Sequence, residues 1–204
     1  TAMVSGGEWA ETVTEGQEAI LVLESTPFYA ESGGQVGDTG TMTGDGFVFE
    51  VTDTHKTHAG AIFHQGKVVS GEVRVGDRVN AQVDVRRRQA IMRNHTAAHL
   101  LQAALRRVLG THVEQAGQLV RDQSMRFDFT HFSALTPEEL RRVEKEINDV
   151  ILEGRDVTTA EMPIDEARKL GAMALFGEKY GDIVRVVDVK DWSVELCGGT
   201  HVDN

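Results

Sequence analysis

Along residues 1–85, apolar and polar positions alternate in short runs, and the pattern predicts strands. Residues 19–23 form a compact apolar run. Phe47, Phe49 and Val51 alternate with Val48 and Glu50, a period of two that puts one face inside. Val79, Ala81, Val83 and Val85 repeat that period after a turn at residues 75–78. Apolar runs at 61–63 and 68–69 flank Gln65 and Gly66, which reads as a hairpin. Short strands joined by glycine-rich turns predict a small β-barrel.

The period changes at Arg87. From there to Leu109 the apolar positions recur at helical spacing, and Gly110 is a natural stop. Ile91, His95, Ala98, His99, Leu101 or Gln102, and Leu105 share one face. Residues 115–118 read as a glycine-containing connection. Met125, Phe127 and Phe129 then predict a strand. Thr136, Pro137 and Glu139 combine a capping box with proline at the first helical position. The helix they open is expected to bury Leu140, Val143, Ile147 and Ile151 and to stop at Gly154. A strand at 157–162, a short helix at 164–170, a strand buried on both faces at 183–189 and a last strand at 192–196 complete the chain. The expected fold class is α+β: an N-terminal small β-barrel over residues 1–85, then a two-layer α/β part over 86–204, with helices on a mainly antiparallel sheet.

Composition narrows the function classes. In 204 residues, 40% are apolar, enough for a real core. No apolar run reaches the roughly 20 residues of a membrane span, and no signal peptide is visible. No membrane partner is expected. A single cysteine excludes an internal disulfide and favours a reducing compartment or a metal or nucleophile role; the expected location is cytoplasmic. A chain that starts at Thr1 and ends at Asn204 is expected to be part of a longer protein. The net charge of −11 argues against broad phosphate binding. Arg86, Arg87, Arg88, Arg93, Arg106 and Arg107 nevertheless cluster on or near the long helix, as a solvated face or a contact for an anionic partner.

The chemistry concentrates in two pairs. His95 and His99 lie one helical turn apart on one face. Nearly a hundred residues later come Cys197, Gly198, Gly199, Thr200 and His201, where two glycines let a short loop turn tightly. Three imidazoles and the only thiol make a tetrahedral zinc set if the fold brings the pairs together. Such a set is either a closed structural site or one with an exchangeable position. The helix lacks the glutamate base of a zinc peptidase, and Glu195 is the only nearby stand-in. Residues 29–38 carry three glycines without the spacing of a phosphate loop. His55, His58 and His64 form a second histidine group, read as surface loop.

These residues carry a resemblance. His95-Thr-Ala-Ala-His99-Leu-Leu, Gly110-Thr-His-Val-Glu-Gln115, Leu119-Val-Arg121, Arg126-Phe-Asp-Phe129 and Glu195-Leu-Cys-Gly-Gly-Thr-His-Val202 together resemble the editing domain of the alanyl-tRNA synthetase family. Free-standing editing proteins and a domain of threonyl-tRNA synthetase are related to it. The resemblance spans essentially the whole chain and includes no aminoacylation motif, so no synthesis of alanyl-tRNA is expected from these residues. It implies zinc-dependent hydrolysis of seryl or glycyl esters of the alanine tRNA, a second sieve for amino acids that a synthetic pocket discriminates too weakly. It implies that His95, His99, Cys197 and His201 hold Zn2+. By the same analogy Gln115 meets the serine hydroxyl or the attacking water, Ala98 lines the pocket, and Arg126 and Asp128 frame it. Thr200 is placed against the substrate, and Gly33 and Gly34 close over the terminal adenosine by backbone contacts. The implied partners are the aminoacyl end of tRNA(Ala) and the rest of the parent synthetase. The competing reading is a zinc-stapled tRNA- or protein-binding module with no hydrolytic activity.

Overall fold

The computed structural model describes residues 2–173 and 181–204. The chain divides into two compact units, Thr1–Ser32 with Val36–Gln89, and Gly33–Gln35 with Ala90–Asn204.

The first unit is all β among the described residues up to the helix that ends it. Its strands are β1 (Ala2–Ser5), β2 (Glu8–Trp9), β3 (Thr12–Thr14), β4 (Glu18–Val22), β5 (Gly40–Gly44), β6 (Phe47–Lys56), β7 (Ile62–Ser70), β8 (Glu72–Arg74) and β9 (Asn80–Val83). Seven of them form one antiparallel sheet in the order β2-β1-β4-β7-β6-β5-β9, and β3 pairs with β8 apart from it. The alternation along 47–51 works as expected, with Phe47, Phe49 and Val51 buried against Met42, Val68 and Leu21.

The expected closed barrel is not formed. Among the described residues nothing pairs β2 with β9, so the sheet stays open. β2 is only two residues long, too short to carry a closing ladder, and β3 and β8 spend their edges on each other. The hairpin expected at Gln65-Gly66 is also absent, because β7 runs straight through it. Gly66 pairs with Ala19 on one side and Val51 on the other, and a Cβ there would strike the Glu50 carbonyl. That glycine marks close strand approach beside a bulge in β6, not a turn.

The second unit carries α1 (Val85–Leu109, from Ala90 onward), β10 (Gln115–Val120), β11 (Met125–Phe129), α2 (Pro137–Glu153), β12 (Val157–Pro163), α3 (Ile164–Lys169), β13 (Ile183–Val189) and β14 (Ser193–Leu196). The sheets are β10-β11 and β12-β13-β14, both antiparallel. The Asp84 carboxylate accepts from Arg87 N at 3.0 Å and caps α1. Arg106 and Arg107 favour its C-terminal dipole, and Gly110 leaves it at φ 121°. The buried side of α1 includes Ile91, His95, Ala98, His99, Gln102 and Leu105. Leu100 packs with Val150, Val157, Val187 and Val189, and Leu105 with Val113 and Val143.

α2 has the expected capping box at Thr136 and Glu139 and the left-handed Gly154 cap. It buries Val143 and Val150, whereas Leu140 and Ile151 are each 54% exposed. The covered stripe is therefore narrower than four apolar positions suggested. Residues 115–118, expected as a connection, are strand β10, with a bulge between Gln115 and Gly117.

Candidate metal centre

His95 and His99 project from α1 one turn apart, both buried. β14 ends at Leu196, and the next residue, Cys197, starts the loop that returns His201. One donor atom from each of the four lies within 4.8 Å of every other. Cys197 Sγ is 3.5 Å from His95 Nε2 and 3.3 Å from His201 Nε2. Metal–S and metal–N bonds of zinc-site length in a tetrahedron give an S···N edge of about 3.5 Å, so the spacing matches a shared cation.

The surroundings hold each donor in place. Gln35, fully buried, sets its Oε1 2.7 Å from His95 Nδ1 and takes the Thr200 backbone N–H at 2.8 Å, while its Nε2 donates to Thr200 Oγ1 at 2.9 Å. The stretch that presents it, Gly33–Gln35, runs beside β10, where Val120 N donates to Gly34 O at 2.7 Å. Gln118 Nε2 donates to Gly33 O at 2.8 Å and lies 3.4 Å from His95 Nε2. Thr96 Oγ1 accepts from Val202 N and is 3.2 Å from His201 Nδ1. Arg185 donates to the carbonyls of Cys197 and Gly199, at 2.9 and 2.6 Å, and so ties down the loop. The Gly199 N–H lies 3.4 Å from Cys197 Sγ. A Cβ on Gly199 would run into the His95 ring and Gln35 Oε1.

Charge and protonation suit a cation. Burial holds His95 down to about 3, helped by His99 and Arg185, and holds His99 down to about 4, helped by Arg185. Burial, with His99, His95 and Arg185, depresses His201 as well. All three rings are neutral near pH 7, the form that ligates. The Glu195 carboxyl, pushed up to about 7 by burial, is 3.7 Å from His99 Nε2 and accepts from Ser193 Oγ at 2.7 Å. His99 Nδ1 is buried and has no hydrogen-bond partner among the described residues. A buried, unpartnered imidazole nitrogen on one of four residues whose donor atoms converge within 4.8 Å fits a metal ion.

The other expected site residues divide. Thr200 joins the cluster through Gln35, and Ala98 is fully buried between the two helix histidines. Gly33 and Gly34, at φ 58° and 82°, lie against Gln118. Gln115 opens β10 opposite Phe129, half-buried. Arg126 and Asp128 pair with each other on exposed parts of β11, at 3.1 Å. The arginine cluster is largely engaged internally. Arg88 grips the buried Asp38, Arg87 donates to Gly37 O, Arg106 donates to Val113 O, and Arg107 covers the Trp192 ring. Arg86, Arg93 and Arg107 stay exposed.

The second histidine group is not one surface loop. His55 lies in β6 beside Asp53 and Glu31, His58 is exposed in the turn, and His64 is fully buried. Gln35 and Arg185 are the residues that sequence reasoning missed. The three-glycine stretch was a signal for the first; nothing local marks the second.

Residues 1–87 match the family described as class II (A) tRNA synthetases, and residues 184–204 match the threonyl and alanyl tRNA synthetase second additional domain. Over 189 residues, 93% of this chain, the sequence is 56% identical to the alanine–tRNA ligase of Acetivibrio thermocellus. The aligned stretch is 22% of that relative, so the chain spans about a fifth of its length.

Proposed function

We propose, starting from the chain's place as a segment of the alanyl-tRNA synthetase family, that it hydrolyses the ester of serine or glycine wrongly attached to tRNA(Ala), with zinc held by His95, His99, Cys197 and His201. The observation that carries this reading is the convergence of two donor pairs, about a hundred residues apart in sequence, on one buried point with an unsatisfied His99 Nδ1. Zinc is the metal because one thiolate and three imidazoles at tetrahedral spacing suit it. When bound, zinc supplies Lewis acidity that polarises an ester carbonyl or acidifies water.

The chain's own residues do the rest. The buried wall around Ala98 keeps bulk water away from the metal face. Gln115 supplies an amide for the serine hydroxyl or the attacking water, and Thr200, within the donor loop, lies where an aminoacyl group would end. Gly33 and Gly34 offer backbone groups to the terminal adenosine. Arg126 and Asp128 frame the approach as a pair. The reaction adds water across the ester, releasing the free amino acid and the tRNA hydroxyl. Within the arginine cluster on or near α1, Arg87, Arg88 and Arg106 serve the fold and leave Arg86, Arg93 and Arg107 at the surface, in a stretch whose net charge is −11. Binding by this stretch alone is therefore weak and steeply salt-dependent, with the rest of the parent synthetase supplying most affinity.

Four protein donors would also fill a tetrahedral shell, which favours a second reading: a structural zinc in a binding module. Hydrolysis of Ser-tRNA(Ala) and Gly-tRNA(Ala), beside a Cys197→Ala/His99→Ala double variant and a chelated sample, separates the two. Editing requires that the double variant and the chelated protein lose deacylation while keeping most secondary structure. Equal rates for wild type and double variant remove the enzyme reading, and global unfolding on chelation supports the staple.

A further inference from the structure

Gln35 is a buried side chain that reaches both donor pairs from outside either of them: the His95 ring on α1 and Thr200 in the Cys197–His201 loop. Its amide orientation is fixed by chemistry. The Thr200 backbone N–H can only donate, so the atom 2.8 Å away must be the carbonyl oxygen Oε1. The same oxygen faces His95 Nδ1 at 2.7 Å, so Nδ1 must carry the proton. The opposite ring nitrogen gives independent support. Gln118 Nε2 is identified as a donor by its bond to Gly33 O, and it lies 3.4 Å from His95 Nε2. An acceptor at Nδ1 and a donor near Nε2 both select one neutral tautomer, with the Nε2 lone pair beside Cys197 Sγ.

We propose that Gln35 is the positioning residue of this centre: it holds His95 as an Nε2 ligand and locks the cysteine loop against α1. The proposal rests on the metal reading above. Partners that orient a ligating histidine through its second nitrogen typically govern metal affinity by about 10–100-fold. Here one oxygen serves both the ring and the loop, so its loss frees the ring to turn and releases the backbone of Thr200. Gly199 fits closely against His95 and Gln35, where a Cβ would meet the ring and Oε1.

The test uses the full chain, with Co2+ as a visible probe and Zn2+ in competition. Gln35→Met keeps length and near volume but has no strong acceptor; Gln35→Glu keeps two. The expected result is a loss of about 10–100-fold in metal affinity for Gln35→Met, with altered d–d bands, and recovery toward wild type in Gln35→Glu. Wild-type affinity and an unchanged spectrum in Gln35→Met would overturn the proposal while leaving the metal reading intact. A wild-type chain that takes up no stoichiometric metal would overturn both. Long-range 1H–15N spectra of the unaltered protein add a check that needs no variant. They should show the His95 proton on Nδ1; a proton on Nε2 would sink the assignment.

Discussion

His64 in the first unit and the three clustered histidines in the second are all buried, yet their nitrogens are spent differently. His64 has partners for both. Leu21 O accepts at 2.9 Å, which puts the proton on Nδ1, and Thr26 Oγ1 donates to Nε2 at 2.8 Å. Phe28 stands edge-on to the ring at 5.3 Å. That imidazole is a satisfied piece of core. His95, His99 and His201 each have only one nitrogen beside an oxygen group; of the others, His95 Nε2 and His201 Nε2 lie beside the Cys197 thiol, the first also 3.4 Å from Gln118 Nε2, and His99 Nδ1 has no hydrogen-bond partner among the described residues. Burial alone does not distinguish a structural histidine from a ligand; the nitrogen left over does.

The sharpest way to break the contrast is to fill the space beside His95. Gly199→Val should push the ring out of line and cost metal affinity more than the roughly 100-fold upper range for outer partners, as read by zinc competition. Normal affinity would mean the loop moves freely and the cluster is not a fixed site. Next in size, His64→Leu should leave Leu21 O without its bond and destabilise the first unit by about 1–3 kcal/mol, with metal stoichiometry untouched. A drop in bound metal would blur the distinction.

A smaller effect comes with acid. Burial lowers the His64 pKa, opposed in part by its bond to Leu21. The unfolded chain then takes up the proton first. Stability is therefore full above about pH 6.5 and falls as pH drops below it, by at most about 1.4 kcal/mol per pH unit. Denaturant melts of wild type and His64→Leu should diverge in slope there; parallel pH profiles would mean His64 charges freely in the folded state. Smallest of all, Arg126→Ala removes an exposed pair and should shift stability by about 0.5 kcal/mol or less. A large loss of deacylation with that small stability change would bring Arg126 into the editing pocket.

What could be read from the letters was what is local. The α2 cap needs only Thr136, Pro137, Glu139 and Gly154, and all four act as their types dictate. Each donor pair is likewise written within five residues. Gly66 was misread because a crowded strand and a tight turn ask for the same residue, and the crowding comes from Glu50 on another strand. Leu140 and Ile151 have the right period for α2, but how wide a stripe is covered depends on neighbours, not on the helix. Gln35 was hidden for the same reason at greater range, since its partners are 60 and 165 positions away. The open sheet follows from the brevity of β2, which no periodicity test detects.

Gly33–Gln35 belongs to the second unit although the sequence on both sides of it belongs to the first. A gene cut just before Ala90 would thus encode all four donors but omit the amide that aligns one of them. Such a truncated product can be rescued only if the missing tripeptide is supplied, by a complementing fragment or a graft. During synthesis, the last turn around Thr200 cannot be secured until the roughly 165 residues that follow Gln35 up to it have also left the ribosome. Any recombination that treats the glycine stretch as an ornament of the first unit will carry off part of the second.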